Sequence, residues 1–149
     1  MNAMDPQERT RRAKIHGEAE GYLELGMARN ALETLARLGD PTAFEVHELY
    51  LWGEGLRAMD RCFEAMVPLE RAAKAAPEDL RVRMALGWCY KRTGRLDLAI
   101  ETLEQAIATT RAVLVATSKE HLGDPTPCAN WKVSDLINHI VGGQYFFEA

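Results

Sequence analysis

Histidine and cysteine are the side chains through which this sequence would hold a metal or attack a substrate: His16, His47, His121 and His139, with Cys62, Cys89 and Cys128. A catalytic zinc-type centre wants three protein ligands and an open fourth position, whereas a single imidazole on an apolar helix is more often structural. The cysteines show no C-x-x-C spacing, and Lys132 alone lies near Cys128 as a cation, so a packed thiol is expected there rather than a reactive one. No glycine-rich phosphate loop, Ser/His/Asp arrangement or paired-carboxylate site stands out. Glu101 and Glu104 are spaced for one helix face, which they keep solvated. A non-enzymatic protein is expected.

The elements that carry these residues are bounded first by composition. With 149 residues, 47% hydrophobic and 27% charged, the chain is neither a disordered tail nor a transmembrane bundle, and it can bury a core without staples. Eighteen Lys and Arg against 22 Asp and Glu give −4, so no basic excess drives binding to nucleic acid or an anionic membrane. Three cysteines without a pairing pattern suggest reduced thiols and a cytoplasmic location. Met-Asn-Ala-Met-Asp-Pro lacks the regions of a signal peptide, and no window approaches the roughly 18 apolar residues of a membrane span.

An internal step of 34 residues organises most of the chain. It links Tyr22, Leu56 and Tyr90; Ala31, Ala65 and Ala99; Leu35, Leu69 and Leu103; Ala19, Gly53 and Gly87; and the turn formers Gly26, Asp60 and Gly94. Each unit reads as two helices about a tight turn. In the third, Pro77-Glu78-Asp79 starts a helix with acids where they favour the dipole, and Val82, Leu86, Cys89 and Tyr90 follow at helical spacing. Thr93-Gly94-Arg95 breaks it, and Leu96, Ala99, Ile100, Leu103, Ala106 and Ile107 mark the second helix. Gly87 and Ala99 are small where paired helices approach closely.

The third unit, Leu86-Gly87-Trp88-Cys89-Tyr90 with Gly94, Ala99, Leu103 and Ala106, resembles a tetratricopeptide repeat (TPR). The second resembles it through Trp52-Gly53, Leu56, Ala65, Leu69, Ala72 and Pro77; the first is degenerate, with Glu18 where a large apolar residue belongs. Residues 9–107 are thus expected to form three TPR-like helix pairs behind a disordered or added leader, residues 1–8. The resemblance implies an interaction scaffold whose first helices line a groove. The repeat step places in it His16 and Glu20, then His47, Tyr50, Glu54 and Arg57, and then Arg81, Met84, Trp88, Lys91 and Arg92. Arg81, Lys91 and Arg92 around Trp88 would hold an acidic or C-terminal carboxylate peptide or protein segment, with the indole as anchor. The same residues also suit a solvated charged face with Trp88 partly packed. Met84 and Trp88 occupy places that hold Lys and Asn in the chaperone-tail carboxylate clamp, which argues against that ligand.

After Ile107 the pattern changes. No Gly or Pro interrupts Glu104 to Leu114, and Ile100, Ile107, Leu114 and His121 fall seven apart, so one helix is expected from about Leu96 to Leu122, roughly 40 Å long. Gly123-Asp124-Pro125-Thr126-Pro127 ends it, and another helix starts near Val133. The run Pro125-Thr126-Pro127-Cys128, Trp131, Val133, Asp135-Leu136 and His139 resembles the opening of DinB-like and mycothiol-dependent maleylpyruvate isomerase proteins, over residues 109–149. Those families are metal-binding four-helix bundles, and the resemblance puts their first metal ligand at His139, a candidate for zinc or another divalent ion. Their other ligands come from later helices, so no cofactor is expected within one chain.

The expected fold class is therefore all-α: a TPR-like solenoid sharing a long helix with half of a DinB-like bundle at residues 108–149. An engineered or truncated fusion is one expectation; a metal-dependent DinB-like thiol transferase or isomerase fragment is the alternative. Half a bundle leaves Val113, Leu114, Leu136, Ile137, Ile140, Tyr145, Phe146 and Phe147 in need of cover, and a homodimer through these residues is expected.

Overall fold

The computed structural model describes residues 5–125, 132–135 and 137. They form an all-α helical repeat: α1 (Pro6–Glu24), α2 (Ala28–Ala36), α3 (Val46–Ala58), α4 (Cys62–Ala75), α5 (Leu80–Arg92) and α6 (Leu96–Ala116), with 3-10 turns at Pro41–Ala43 and Lys119–Gly123. The helix pairs follow the 34-residue step. The chain divides into two compact units, Met1–Ala106 and Ile107–Ala149.

In the first unit the same turn is built three times. Gly26, Asp60 and Gly94 all have left-handed backbones, φ +72°, +58° and +78°. Behind each, the N–H of Met27, Arg61 and Arg95 donates to the carbonyl of Tyr22, Leu56 and Tyr90 at 2.8–2.9 Å. The N–H groups of Gly26, Asp60 and Gly94 close the inner bond to Leu23, Arg57 and Lys91. This double bond pattern is the Schellman motif, which satisfies helix-end carbonyls at the cost of one residue in a conformation that glycine accepts freely.

Within each pair the small-residue column meets the leucine column. A Cβ added at Gly53 would lie 2.5 Å from Leu69 Cγ, and one at Gly87 would lie 2.8 Å from Leu103 Cδ2. The glycines are therefore required by close approach of backbone to a leucine. In the first pair the column holds Ala19, which packs fully buried with Ala31 and Leu35. The degenerate Glu18 is accommodated by an ion pair instead of burial: Arg37, just past α2, donates to it at 2.7 Å. Between pairs, Leu32, Leu56, Cys62, Met66, Cys89 and Tyr90 share one buried cluster. Asp79 caps α5 by accepting the Arg81 N–H at 3.0 Å.

In the second unit, α6 passes through Thr109 and Thr110 unbroken but stops at Ala116, short of Leu122. The reason is local. Thr117 Oγ1 donates to the Val113 carbonyl at 2.9 Å, and Ser118 turns extended at φ −79°, ψ 160° with its Oγ 2.8 Å from His121 Nδ1. Such short polar side chains compete with the helix for its own backbone groups. His121 consequently sits on the 3-10 turn, not on the α6 stripe. Beyond it the Val133 N–H donates to the Asp124 carbonyl, and Pro125 and Lys132 form an antiparallel bridge. Residues 133–135 are helical, and the Lys132 N–H donates to Asp135 Oδ2 at 2.8 Å. Cys128, Leu136, His139, Ile140, Tyr145, Phe146 and Phe147 lie outside the described residues. No helix of the described residues is long and apolar enough to cross a membrane.

Candidate functional site

The first helices of the three pairs neighbour one another, α1 on α3 and α3 on α5, so their matching faces form one surface. A groove of about 420 Å³ runs along it between α3 and α5, lined by Tyr50, Glu54, Arg57, Leu80, Arg81, Met84, Ala85 and Trp88. It continues toward α1 past Glu20, Leu23 and Glu24. Leu80, Met84 and Trp88 stand four apart on α5 and so share its groove face. Met84 and Trp88 are 56% and 46% exposed, large apolar side chains left open to water.

The charged groups around this stripe are largely paired within the protein. Arg57 holds Glu54 through two bonds of 2.7 and 2.9 Å, and Arg81 holds Asp79 at 3.2 and 2.9 Å. The Arg81 guanidinium also lies 5.0 Å above the Tyr50 ring, whose phenol is pushed upward in pKa by burial and then by the Glu54 charge. Arg92 reaches away from the groove lining to Asp60 in the preceding turn, at 2.8 Å. Lys91 rests 5.1 Å from the Trp88 ring centroid and has no carboxylate partner among the described residues. Six of the expected groove residues, Tyr50, Glu54, Arg57, Arg81, Met84 and Trp88, thus meet at one place. His47 lies toward α1, where its Nε2 is 2.8 Å from Glu20 Oε1.

Beside His47 lies a network that sequence reasoning missed. Glu48 on α3 is fully buried, and Arg12 on α1 donates to it through Nε at 3.0 Å and Nη2 at 2.7 and 2.8 Å. His16 Nε2 is 3.0 Å from the same carboxylate, the Glu45 N–H donates to it at 3.0 Å, and the His16 and His47 rings meet edge to face with centroids 5.2 Å apart. Burial alone would raise the Glu48 pKa. The Arg12 guanidinium, the Glu45 N–H and His16 together outweigh it and hold the carboxyl below its ordinary range. Neither Arg12 nor Glu48 recurs at the 34-residue step, which is why the repeat did not expose them; the one available signal was Glu48 three residues into a helix start.

Among the described residues no three His, Cys, Asp or Glu side chains are arranged to hold a metal ion. Cys62 and Cys89 are buried, and burial, then the neighbouring Cys62, pushes the Cys89 thiol well above its ordinary range, which disfavours the thiolate.

Two curated relatives from Mycobacterium tuberculosis are each 50% identical over 32 residues: uncharacterized protein Rv0738 of strain ATCC 25618 / H37Rv and uncharacterized protein MT0763 of strain CDC 1551 / Oshkosh. The match covers 22% of this chain and 18% of each relative, so the chain spans under a fifth of the length of the curated relatives it matches. A family model for the tetratricopeptide repeat matches residues 64–119, which take in most of α4 and all of α5 and α6. Over that segment, which contains α5 but not α3 of the two groove helices, the chain is similar to the tetratricopeptide repeat.

Proposed function

We propose that this protein is a non-enzymatic interaction scaffold that binds an extended peptide segment of a partner protein in the groove between α3 and α5. The observation that carries this reading is the Met84 and Trp88 stripe, apolar and open at the floor of a groove whose rim is polar. An exposed aromatic anchor with a polar surround is the usual composition of a binding hot spot. Because Arg57 and Arg81 already hold carboxylates, the ligand reads as one apolar side chain seated on Trp88 with a single carboxylate directed to Lys91. The exposed Arg81–Asp79 pair, worth about 0–1 kcal/mol, is weak enough to exchange for a second carboxylate. Panning a displayed random-peptide library tests this. Wild type is expected to enrich an apolar-plus-acidic consensus that Trp88→Ala does not; equal enrichment by both proteins, or none by wild type, refutes it.

The second unit supports a finer reading, in which residues 109–149 are a DinB-like segment that pairs with a second copy of the chain. In its favour, Val113 is 62% exposed, the Val133 N–H donates to the Asp124 carbonyl, and residues 133–135 are helical. Light scattering at micromolar concentration decides it: twice the 16.7 kDa chain mass is expected, and a clean monomer refutes it.

A further inference from the structure

A second surface of the first unit lacks, among the described residues, the cover that its own repeat provides elsewhere. The second helix of each pair carries two apolar residues four apart at matching positions: Ala28 and Leu32, Cys62 and Met66, Leu96 and Ile100. The first two pairs are buried, at 5–9% exposure, beneath the first helix of the following pair. Gly55 of α3 sits so close that an added Cβ would come 2.6 Å from Leu32, and Met66 clusters with Cys89 and Tyr90 of α5. Among the described residues no helix covers Leu96 and Ile100, which are 57% and 56% exposed. The polar contact shows the same gap. Glu70 on α4 accepts the Tyr90 hydroxyl at 2.9 Å across the α4–α5 junction, and its equivalent on α6, Glu104, is exposed.

Charge completes the description. From Leu96 to Ala106, α6 carries Asp97, Glu101 and Glu104 and no base, so the open apolar residues are bordered by negative charge that a basic partner complements.

We propose that this face of α6 docks a basic amphipathic helix supplied by a partner protein, in the position a fourth first helix would take. The two existing junctions specify the helix: a large apolar residue at i, a small one at i+3 and a large one at i+4, as in Trp52, Gly55 and Leu56 or Leu86, Cys89 and Tyr90. A hydroxyl or amino donor near i+4 reaches Glu104. The site is separate from the groove, continues an interface the molecule already makes twice, and stands whether or not the groove binds peptide.

The probe is a fluorescein-labelled synthetic peptide with the sequence of residues 78–93, bridged on its outer face so that it is helical before binding, titrated with the full chain and followed by anisotropy. Saturable one-to-one binding is expected. Leu96→Ser with Ile100→Ser should weaken it by about tenfold or more, since each side chain loses its burial. Trp88→Ala should leave it unchanged. Far-UV circular dichroism checks that the paired variant, altered only at exposed positions, retains its helices. Absence of saturable binding, or equal affinity in the paired variant, overturns the proposal. So does a wild-type dimer that the paired variant converts to monomer, because a second copy then occupies the face.

Discussion

Replacing Arg12 by alanine removes the cation that neutralises a carboxylate with a side chain only 1% exposed. Breaking a buried pair from one side costs about 3–5 kcal/mol. Here Glu48 keeps His16 and the Glu45 N–H, and the Arg12 side chain is itself 19% exposed, so we expect about 2–3 kcal/mol. With a urea slope of about 1–3 kcal/mol per molar, the midpoint should fall by about 0.7–3 M. The pH dependence adds a sign. Because the folded Glu48 pKa lies below its ordinary value, its contribution is fully present above the unfolded pKa and is lost as pH falls through the folded one. The gap between wild type and Arg12→Ala should therefore be complete at pH 7 and shrink below about pH 4. Urea unfolding followed by far-UV circular dichroism at both pH values measures it. A loss under about 0.5 kcal/mol at pH 7, or a gap that widens in acid, would refute the reasoning that this pair pins α1 to α3.

Other perturbations separate the remaining contributions. Gly94→Ala forces a side chain into φ +78° and should cost about 1 kcal/mol in thermal or urea unfolding, although nothing crowds the added Cβ. Gly53→Ala gains about 1 kcal/mol of helix propensity but drives a Cβ to 2.5 Å from buried Leu69, for about 1–3 kcal/mol of overpacking, so a net loss is expected from the same measurement. Cys62 and Cys89 should resist iodoacetamide at pH 8 until denaturant is added, read by mass spectrometry of the two peptides. Trp88→Ala, at a half-exposed position, should change the unfolding free energy by under about 0.5 kcal/mol while removing groove binding.

What could be read from the chain was whatever recurs. Gly26, Asp60 and Gly94 announced their turns because only a few residue types accept a left-handed backbone, and Gly87 announced a close approach because a side chain there has no room. What occurs once was hidden. Arg12 and Glu48 are 36 residues apart and look like surface charges until α1 is laid on α3. The partners of the groove cations were equally invisible: Asp79 reads as a helix cap and Asp60 as a turn former, and each also holds an arginine. Pro68 would be expected to break α4 by removing a backbone donor, yet the helix runs on to Ala75 because tertiary packing, with Pro68 among its buried residues, overrides propensity. The end of α6 depended on Thr117 and Ser118 capturing local backbone groups, a competition that apolar periodicity does not register.

Chemical-shift mapping with a library-selected peptide on isotopically labelled protein tests groove binding most directly. We expect the perturbed amides and side chains to gather at Tyr50, Glu54, Arg81, Met84 and the Trp88 indole. Perturbations gathered instead in the larger cavity of about 640 Å³ between α2 and α4, around Arg29, Leu32, Met59 and Val67, would contradict it.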